Sequence, residues 1–233
     1  MNFLLDLWDD FISLLFPRLC YACGNHLVKN EKTICTLCYI SIPRTNYHLV
    51  PDNPVEKLFW GRCRITRAAA FSYYTKGSRI RKLIHNLKYK GIKEIGEEIG
   101  RIYGYNLKSS GFVSDIDLIV PVPLHKSKQK KRGFNQCDLI CKGIALATGL
   151  TVDNYSLKRT EKSETQTKRS RYERWTNVEG IFEVVHSENL NGKHILLVDD
   201  VITTGSTIDA CACELLKIEG VRVSAVALAV AVL

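Results

Sequence analysis

The sequence predicts an α/β fold in which helices cover both faces of a parallel sheet, with a small metal-binding module ahead of it. Short apolar runs of strand length recur along the chain, and segments with helical spacing of apolar residues separate them. Two closely spaced cysteine pairs near the N-terminus predict the module. A chain of 233 residues has room for one principal domain and such an appendage.

The module comes first along the chain. Residues 3–16 carry apolar side chains at helical spacing and stop at Pro17, which predicts an amphipathic helix. We interpret its apolar face as core packing rather than membrane attachment. The cysteine pairs follow, and residues 41–54, rich in proline and asparagine, are predicted to be a linker. We therefore place the module at 1–54 and the main domain at 55–233.

The main domain alternates between strands and helices. Its strands are predicted over residues 68–74, 117–121, 194–198 and 221–233. Its helices are predicted over residues 78–89, 92–105, 134–147 and 207–219, with Gly149 and Gly220 ending the last two. Continuous apolar strands separated by helices are typical of a parallel sheet that is buried on both faces.

The composition is that of an ordinary folded protein. Hydrophobic residues make up 45% of the chain and charged residues 24%, which excludes collagen-like, low-complexity and disordered classes. No apolar run reaches the roughly 20 residues that cross a bilayer, and the N-terminus lacks the pattern of a secretory signal. Nine cysteines without a disulfide-like spacing predict reduced thiols, and hence a cytoplasmic protein.

The chain is basic, with a formal net charge of +9. An anionic partner is therefore expected. Basic residues are concentrated between Glu56 and Glu94, where no acidic residue lies, and in residues 126–132 and 158–174. An ordinary solvated surface explains each such run equally well.

Four cysteines form two C-x2-C pairs: Cys20 and Cys23, then Cys35 and Cys38. Four thiolates at this spacing can surround Zn2+ tetrahedrally at about 2.3 Å each, which leaves no open position for catalysis. The spacer is shorter than usual, so His26 or His48 could replace one thiolate, and a redox pair or coincidence stays an alternative. We predict structural zinc, because so small a segment buries too little apolar surface to fold unaided.

The other five cysteines show no comparable arrangement: Cys63, Cys137, Cys141, Cys211 and Cys213. Cys137 and Cys141 share a predicted helix face, for which core packing is the preferred explanation.

Residues 195–207 combine an acidic strand end with a hydroxyl-rich turn. The strand delivers Asp199 and Asp200 to the carboxyl edge of the sheet, where ligands bind in open α/β folds. The turn that follows reads Thr203, Thr204, Gly205, Ser206 and Thr207. It lies at a predicted helix N-terminus, where free N–H groups and the helix dipole favour a phosphate. The pattern predicts a site for a phosphorylated sugar, with the carboxylates accepting from ribose hydroxyls.

Three other interpretations explain this stretch less well than a phosphate site does. A nucleotide-binding P-loop needs G-x4-G-K-[ST], but Gly91 and Gly96, the only glycines at that spacing, are followed by Glu97. A dinucleotide site needs G-x-G, which does not occur. A simple helix cap explains one hydroxyl, not four around a glycine with paired aspartates.

Residues 195–207 resemble the phosphoribosyl-pyrophosphate signature of type I phosphoribosyltransferases. Further motifs occur in order: residues 87–91, 120–125 and 132–136, then Thr165, Gln166, Arg171 and Asn177. With the four cysteines ahead of them, they resemble the ComF family of competence-related proteins, also called the ComF/GntX family, over nearly the whole chain. The resemblance implies a sheet of the type I phosphoribosyltransferase kind.

The resemblance also implies roles for individual residues. Asp199 and Asp200 would contact the ribose hydroxyls, and residues 203–207 would hold the 5'-phosphate of phosphoribosyl pyrophosphate, which binds with Mg2+. Pyrophosphate leaves from C1 of the ribose, so the protein needs to neutralise the leaving group and exclude water. Purine-salvage members carry an acid where this chain has Thr203, so no general base for an acceptor is visible.

Other motifs would complete the site. The turn of Val122, Pro123, Leu124 and His125 would bring backbone amides to pyrophosphate, with Lys88 beside it or simply solvated. Residues 159–177 resemble the mobile loop that closes over the substrate, with Gln166 and Arg171 as contacts.

Two functions follow as hypotheses. The first is an enzyme, a phosphoribosyltransferase of nucleotide metabolism, that moves phosphoribose to or from a nitrogenous acceptor. The second is a non-catalytic accessory protein of DNA uptake that binds single-stranded DNA and meets the uptake machinery. Basic stretches and interleaved tyrosines support the second: Tyr73, Tyr74, Tyr89, Tyr103 and Tyr105.

Overall fold

The computed structural model describes residues 17–160 and 180–231. The helix expected over residues 3–16 lies outside these ranges, as do Gln166 and Arg171. Within residues 17–160 and 180–231, no helix combines the length and the apolar character needed to cross a membrane.

A five-stranded parallel sheet forms the centre of the protein. Its strands are β1 Ala68–Tyr74, β2 Leu118–Pro121, β3 Thr151–Val152, β6 His194–Ile202 and β7 Arg222–Ala231. They lie in the order β1-β7-β6-β2-β3, and every neighbouring pair is parallel. Two short strands, β4 Leu157–Arg159 and β5 Phe182–Val184, form a separate antiparallel pair. The predicted parallel α/β sheet is confirmed.

Seven helices connect the strands among the described residues: α1 Thr36–Ile40, α2 Pro54–Lys57, α3 Arg79–Lys90, α4 Glu94–Ser109, α5 Lys126–Arg132, α6 Gln136–Thr148 and α7 Ser206–Leu215. Single 3-10 turns occur at Tyr47–Leu49 and Ser187–Asn189. Gly149 ends α6 with a positive φ of 85°, as predicted. The prediction for α7 was too long, because the helix ends at Leu215 and Gly220 belongs to the turn before β7.

Apolar side chains pack on both faces of the sheet. Along β6, Leu196 and Val198 join one buried cluster and Ile195 and Leu197 join the other, because successive strand residues point to opposite faces. The cysteine module adds Cys20 and other buried residues to the first cluster. A central strand buried on both faces can carry polar residues only near its ends, and this is where β6 has them.

The segment predicted as a linker packs against the main domain. The Thr45 N–H donates to the Phe71 carbonyl over 3.2 Å. The side-chain amide of buried Asn53 donates to the carbonyls of Tyr47, Val50 and Ala68. Residues 41–54 are therefore not an exposed linker, while the domain boundary at residue 54 stays a prediction.

The prediction of reduced thiols throughout is wrong for one pair. Cys63 and Cys213 are joined as a disulfide, with a Cα–Cα distance of 5.5 Å. They lie 150 residues apart in sequence, and no spacing rule connects them. The other seven cysteines are free.

Candidate functional site

Strand β6 carries both aspartates to the carboxyl edge of the sheet. It continues to Ile202, beyond the predicted end at residue 198. The Cys137 thiol of α6 donates to Asp199 Oδ1 over 3.6 Å. Lys88, near the end of α3, donates from Nζ to Asp200 Oδ1 over 2.7 Å. Lys88 therefore lies at the carboxyl edge of the sheet, and the group it contacts there is the Asp200 carboxylate.

One oxygen of Asp200 has no partner. The residue is 4% exposed, and no described group forms a hydrogen bond with its buried Oδ2. Buried polar atoms in native proteins nearly always have a partner, so this oxygen at the sheet edge is available to a water molecule or a ligand. A ribose hydroxyl or a hydrated cation is the kind of group that would complete this carboxylate.

Asp199 has an altered proton affinity. Burial and the neighbouring charge of Asp200 raise the pKa of Asp199 to about 7, although the Asp200 N–H and Lys88 lower it. The Asp200 N–H donates to Asp199 Oδ1 over 2.7 Å. Asp199 can therefore gain or lose a proton near neutral pH, as groups at functional sites often do.

The predicted phosphate loop makes a tight turn into α7. Gly205 has a positive φ of 78° and is the N-cap residue, so the cap position has no side chain, and the Ser206 N–H donates to the Thr204 hydroxyl over 3.5 Å. Thr203, Thr204, Ser206 and Thr207 are exposed, and the Thr204 and Ser206 hydroxyl oxygens lie 2.9 Å apart. A simple cap thus accounts for the Thr204 hydroxyl. The exposed hydroxyls and the N–H groups of a helix N-terminus are what an anion-binding turn offers.

Two residues that the sequence did not indicate support this loop. A Cβ at Gly205 would lie 2.9 Å from Phe59 Cε1, so the Phe59 ring packs directly on the glycine. Arg62 Nη1 donates to the Thr204 carbonyl over 3.0 Å, across a sequence separation of 142 residues. Both residues precede β1, and no sequence pattern connects them to the loop.

The predicted pyrophosphate turn follows β2 and lies beside β6. The Val122 N–H donates to the Val198 carbonyl over 2.9 Å, directly before Asp199. The Asn135 side-chain amide donates to the Val122 carbonyl over 3.1 Å, while its Oδ1 accepts from the Cys137 N–H. Asn135, in the motif at residues 132–136, thus links this turn to the start of α6. The sequence had indicated it only as a family marker.

The rest of the turn forms the start of a basic helix. Pro123, Leu124 and His125 are half-buried, and His125 Nδ1 accepts from the Ser127 N–H at the start of α5. A cleft of about 460 Å³ borders the turn and reaches Arg159 at the end of β4. The structure therefore places the pyrophosphate turn beside an open polar cleft, at the same sheet edge as Asp199.

The four N-terminal cysteines converge. Their sulfur atoms all lie within 4.8 Å of one another, and Cys23 Sγ lies 3.8 Å from Cys35 Sγ. Bonds of about 2.3 Å to a tetrahedral Zn2+ give sulfur–sulfur edges of about 3.8 Å. The Cys35 N–H donates to Cys20 Sγ over 3.3 Å. Neither His26 nor His48 belongs to this group, so a four-sulfur site fits better than a histidine variant.

The thiols of the quartet differ in proton affinity. Burial raises the pKa of Cys20, but backbone N–H groups including that of Cys35 lower it to about 7. Burial raises the pKa of Cys35 and of Cys38. Four thiolates at this spacing repel one another, so the cluster needs a bound cation to exist fully ionised. The site can hold a metal ion.

Comparisons with known proteins agree with this geometry. Residues 144–232 match the family model described as a phosphoribosyl transferase domain. The chain is 31% identical over 217 residues to the DNA utilization protein YhgH of Salmonella typhi, covering 88% of this chain and 93% of that protein. It is 28% identical over 212 residues to the competence protein ComFC of Bacillus subtilis, covering 89% and 82%.

Among solved structures, a glutamine phosphoribosylpyrophosphate amidotransferase from B. subtilis superposes with a TM-score of 0.39 and 21% identity, over 56% of this chain and 26% of that chain. The YhgH match spans nearly all of both chains, and the phosphoribosyl transferase domain model matches the C-terminal part of this chain. The chain belongs to the ComF family and has a phosphoribosyltransferase-like fold.

Proposed function

We propose that the protein binds phosphoribosyl pyrophosphate with Mg2+ at the carboxyl edge of its sheet and transfers the phosphoribosyl group to a nitrogenous acceptor. The observation that carries the proposal is the buried Oδ2 of Asp200, which has no hydrogen-bond partner among the described residues and lies shortly before the turn into α7. The two features would serve one ligand that carries hydroxyls at one end and a phosphate at the other.

Each part of the edge has a task in this proposal. Asp199 and Asp200 accept hydrogen bonds from the ribose hydroxyls, and Lys88 forms an ion pair with Asp200. The N–H groups and hydroxyls of residues 203–207 hold the 5'-phosphate. The N–H groups of Leu124 and His125 would face the pyrophosphate, since the Val122 N–H donates to the Val198 carbonyl and Pro123 has no N–H. Gln166 and Arg171, which lie outside the described residues, are proposed to close over it.

The chemistry needs little covalent participation by the protein. The bond between C1 of the ribose and pyrophosphate breaks as positive charge develops on the sugar, and the protein stabilises the separating charges. Mg2+, bound through the substrate, would neutralise the leaving pyrophosphate. Thr203 stands where purine-salvage members have an acid. Asp199, whose pKa is raised to about 7, can exchange a proton at this edge near neutral pH.

Isothermal titration calorimetry with phosphoribosyl pyrophosphate and Mg2+ tests the proposal. The wild-type protein is expected to bind, and the double variant Asp199→Asn/Asp200→Asn to bind at least about 100-fold more weakly, because two charged acceptors are removed. Asp115→Asn, at the opposite edge of the sheet, is the matched control and should bind normally. Normal binding by the folded double variant would refute the site.

We further propose that the ion of the cysteine quartet is a structural Zn2+. Zinc quantification on the purified protein should find one ion per chain, and Cys38→Ser should lower this content. Chelation should lower the melting temperature, because metal binding contributes to the folding free energy of so small a module. A metal-free protein with an unchanged melting temperature would contradict this assignment.

A second function, binding of single-stranded DNA, is favoured by one surface. The Arg132 guanidinium lies 5.4 Å from the ring centre of Tyr89, which is 66% exposed and packs against His85. Exposed aromatic and cationic groups together are typical of single-strand binding. Of the tyrosines indicated by the sequence, Tyr103 is buried and only Tyr89 and Tyr105 are exposed. The names of the relatives, which refer to DNA utilization and competence, also favour this function.

Fluorescence anisotropy with labelled single-stranded DNA tests this second function. Affinity should fall steeply as salt rises, because phosphate contacts release counterions. Tyr89→Ala should weaken binding, whereas Tyr155→Ala, at an equally exposed tyrosine, serves as the control. The absence of binding even at low salt would remove the hypothesis. Both functions can coexist, and a cytoplasmic location stays a prediction for either.

A further inference from the structure

We propose that Cys63 and Cys213 form a thiol–disulfide switch that controls the phosphate loop. The proposal rests on the proposed function for the identity of the ligand, and on the described geometry for the switch. It concerns the strap, defined here as residues 58–63, which runs from the end of α2 past the phosphate loop.

The strap touches the loop and its helix at three successive places. Phe59 packs on Gly205, and Arg62 donates to the Thr204 carbonyl. The Cys63 N–H then donates to Asp209 Oδ1 over 3.2 Å. The strap therefore runs along the turn and the first part of α7. Its contacts there are noncovalent, and the only covalent cross-link between the strap and α7 is at Cys63.

The disulfide fixes the end of the strap to the same helix. Asp209 and Cys213 are four residues apart on α7, so they lie on one helix face. Asp209 accepts from the backbone of Cys63, and Cys213 bonds to its sulfur. The Cα–Cα distance of 5.5 Å lies within the usual range for disulfides. Oxidation thus closes a clamp directly behind the phosphate loop.

This pair is better suited to exchange than the other cysteines outside the quartet. Cys63 and Cys213 are half-buried, so a small thiol or disulfide can reach them. Cys137, Cys141 and Cys211 are buried, and burial raises the pKa of each thiol. A thiolate is the attacking species in exchange, so these three should react slowly.

The chemistry of the switch balances with a low-molecular-mass disulfide such as glutathione disulfide. The two protein thiols lose two protons and two electrons as the bond between Cys63 and Cys213 forms. The glutathione disulfide accepts them and breaks into two thiols. Excess reduced glutathione drives the reaction back. No other oxidant is needed.

The oxidised form should bind the sugar phosphate more tightly. With the clamp closed, the strap holds Gly205 and the Thr204 carbonyl in place, and a preorganised loop loses less conformational entropy on binding. With the clamp open, only the noncovalent contacts of the strap remain. We expect the Kd for phosphoribosyl pyrophosphate with Mg2+ to rise at least about fivefold on reduction, at the low end of typical coupling between sites.

The test uses the full-length protein equilibrated in glutathione buffers of defined ratio. Alkylation followed by peptide mass spectrometry identifies the bonded cysteines, and zinc content is monitored to show that the quartet stays intact. Calorimetry gives the Kd of each form, and hydrogen exchange reports the amides of residues 203–208. The control is Cys63→Ser/Cys213→Ser, which should bind as the reduced form does and show no response to oxidation.

The outcomes separate the switch from the proposed function. A disulfide between Cys63 and Cys213, tighter binding and slower exchange of residues 203–208 in the oxidised form would support the switch. Equal affinity and equal exchange in both forms would overturn it, as would oxidation that bonds other cysteines instead. If neither form binds the ligand, the proposed function fails, and the exchange rates alone decide whether the clamp stabilises the loop.

Discussion

The two ends of strand β6 handle charge in opposite ways. At the amino edge of the sheet, one carboxylate, Asp115, contacts Arg67, Arg222 and His194. At the carboxyl edge, Asp199 and Asp200 lie side by side, and Lys88 forms an ion pair with Asp200. The first edge surrounds Asp115 with two arginines, whereas the second places two carboxylates beside one lysine.

Hydrogen bonding shows the same contrast. The two ring nitrogens of fully buried His194 are both partnered, by Asp115 at 3.1 Å and the Ser224 hydroxyl at 2.9 Å. Asp200, which is almost as buried, keeps one oxygen without a partner. Completed polar networks stabilise a fold, whereas incomplete ones are typical of ligand sites. The comparison therefore favours a structural role for the amino edge and supports the ligand site that we propose at the carboxyl edge.

Proton affinity differs in the same sense. Although burial raises it, the charges of Arg67 and His194 hold the pKa of Asp115 below its usual value. Burial and the charge of Asp200 raise the pKa of Asp199 to about 7. The protein therefore stabilises the ionised form of Asp115 and destabilises the ionised form of Asp199.

The largest expected effect on stability is at the amino edge. His194→Ala removes both hydrogen bonds of a buried ring and leaves Ser224 and part of Asp115 without partners, which should lower the free energy of unfolding by about 3 kcal/mol. Urea denaturation measures the loss. Binding of phosphoribosyl pyrophosphate by the folded variant should be unchanged. If His194→Ala lowered the binding free energy for phosphoribosyl pyrophosphate as much as the free energy of unfolding, the two edges would not have separate roles.

Gly205→Ala should have a smaller effect on stability but a specific effect on binding. A Cβ there meets the Phe59 ring at 2.9 Å in a backbone of positive φ, which should cost about 2 kcal/mol. Displacing Phe59 or the turn should weaken ligand binding about tenfold, through loss of loop geometry. Gly149→Ala is the control: it has positive φ with nothing within 4 Å, so it should strain the fold and leave binding unchanged. Equal affinities for the two variants would contradict the role of the strap.

The smallest effect is a gain that depends on pH. Because folding raises the pKa of Asp199 from 3.8 to about 7, folding favours the protonated side chain, and this stabilisation is lost as pH rises through about 7. Asp199→Asn keeps the shape without the charge. It should raise the free energy of unfolding by about 1 kcal/mol at pH 8, with the gain vanishing near pH 4.

Thermal melts at the two pH values check this prediction, and the same variant should bind ligand more weakly. The comparison would fail if Asp199→Asn destabilised the protein at pH 8, or if its effect were the same at both pH values. Asp115→Asn should show the opposite dependence of stability on pH. The pKa of Asp115 is lowered by folding, so its contribution is present at neutral pH and lost on acidification.

What the sequence could predict was local. The apolar runs predicted the four long strands because burial on both faces requires such residues. The aspartates and the turn lie within nine residues, and each cysteine pair within four, so their proximity follows from the backbone alone. These features survive in the structure almost unchanged.

What could not be predicted depends on how distant segments meet. Phe59 contacts Gly205, and Cys63 contacts Cys213 across a sequence separation of 150, so both contacts depend on the tertiary fold. The composition of residues 41–54 is that of a linker, yet Asn53 donates to three carbonyls and ties the segment down. The unpartnered oxygen of Asp200 likewise has no sequence signal, since it reflects burial.

A crystal structure of the protein grown with Mg2+ and phosphoribosyl pyrophosphate tests the assignment of the carboxyl edge most directly. We expect the 5'-phosphate on the amides of residues 203–207 and a ribose hydroxyl on the free oxygen of Asp200. Ligand density elsewhere on the protein, or none at this edge under saturating ligand, would contradict the assignment.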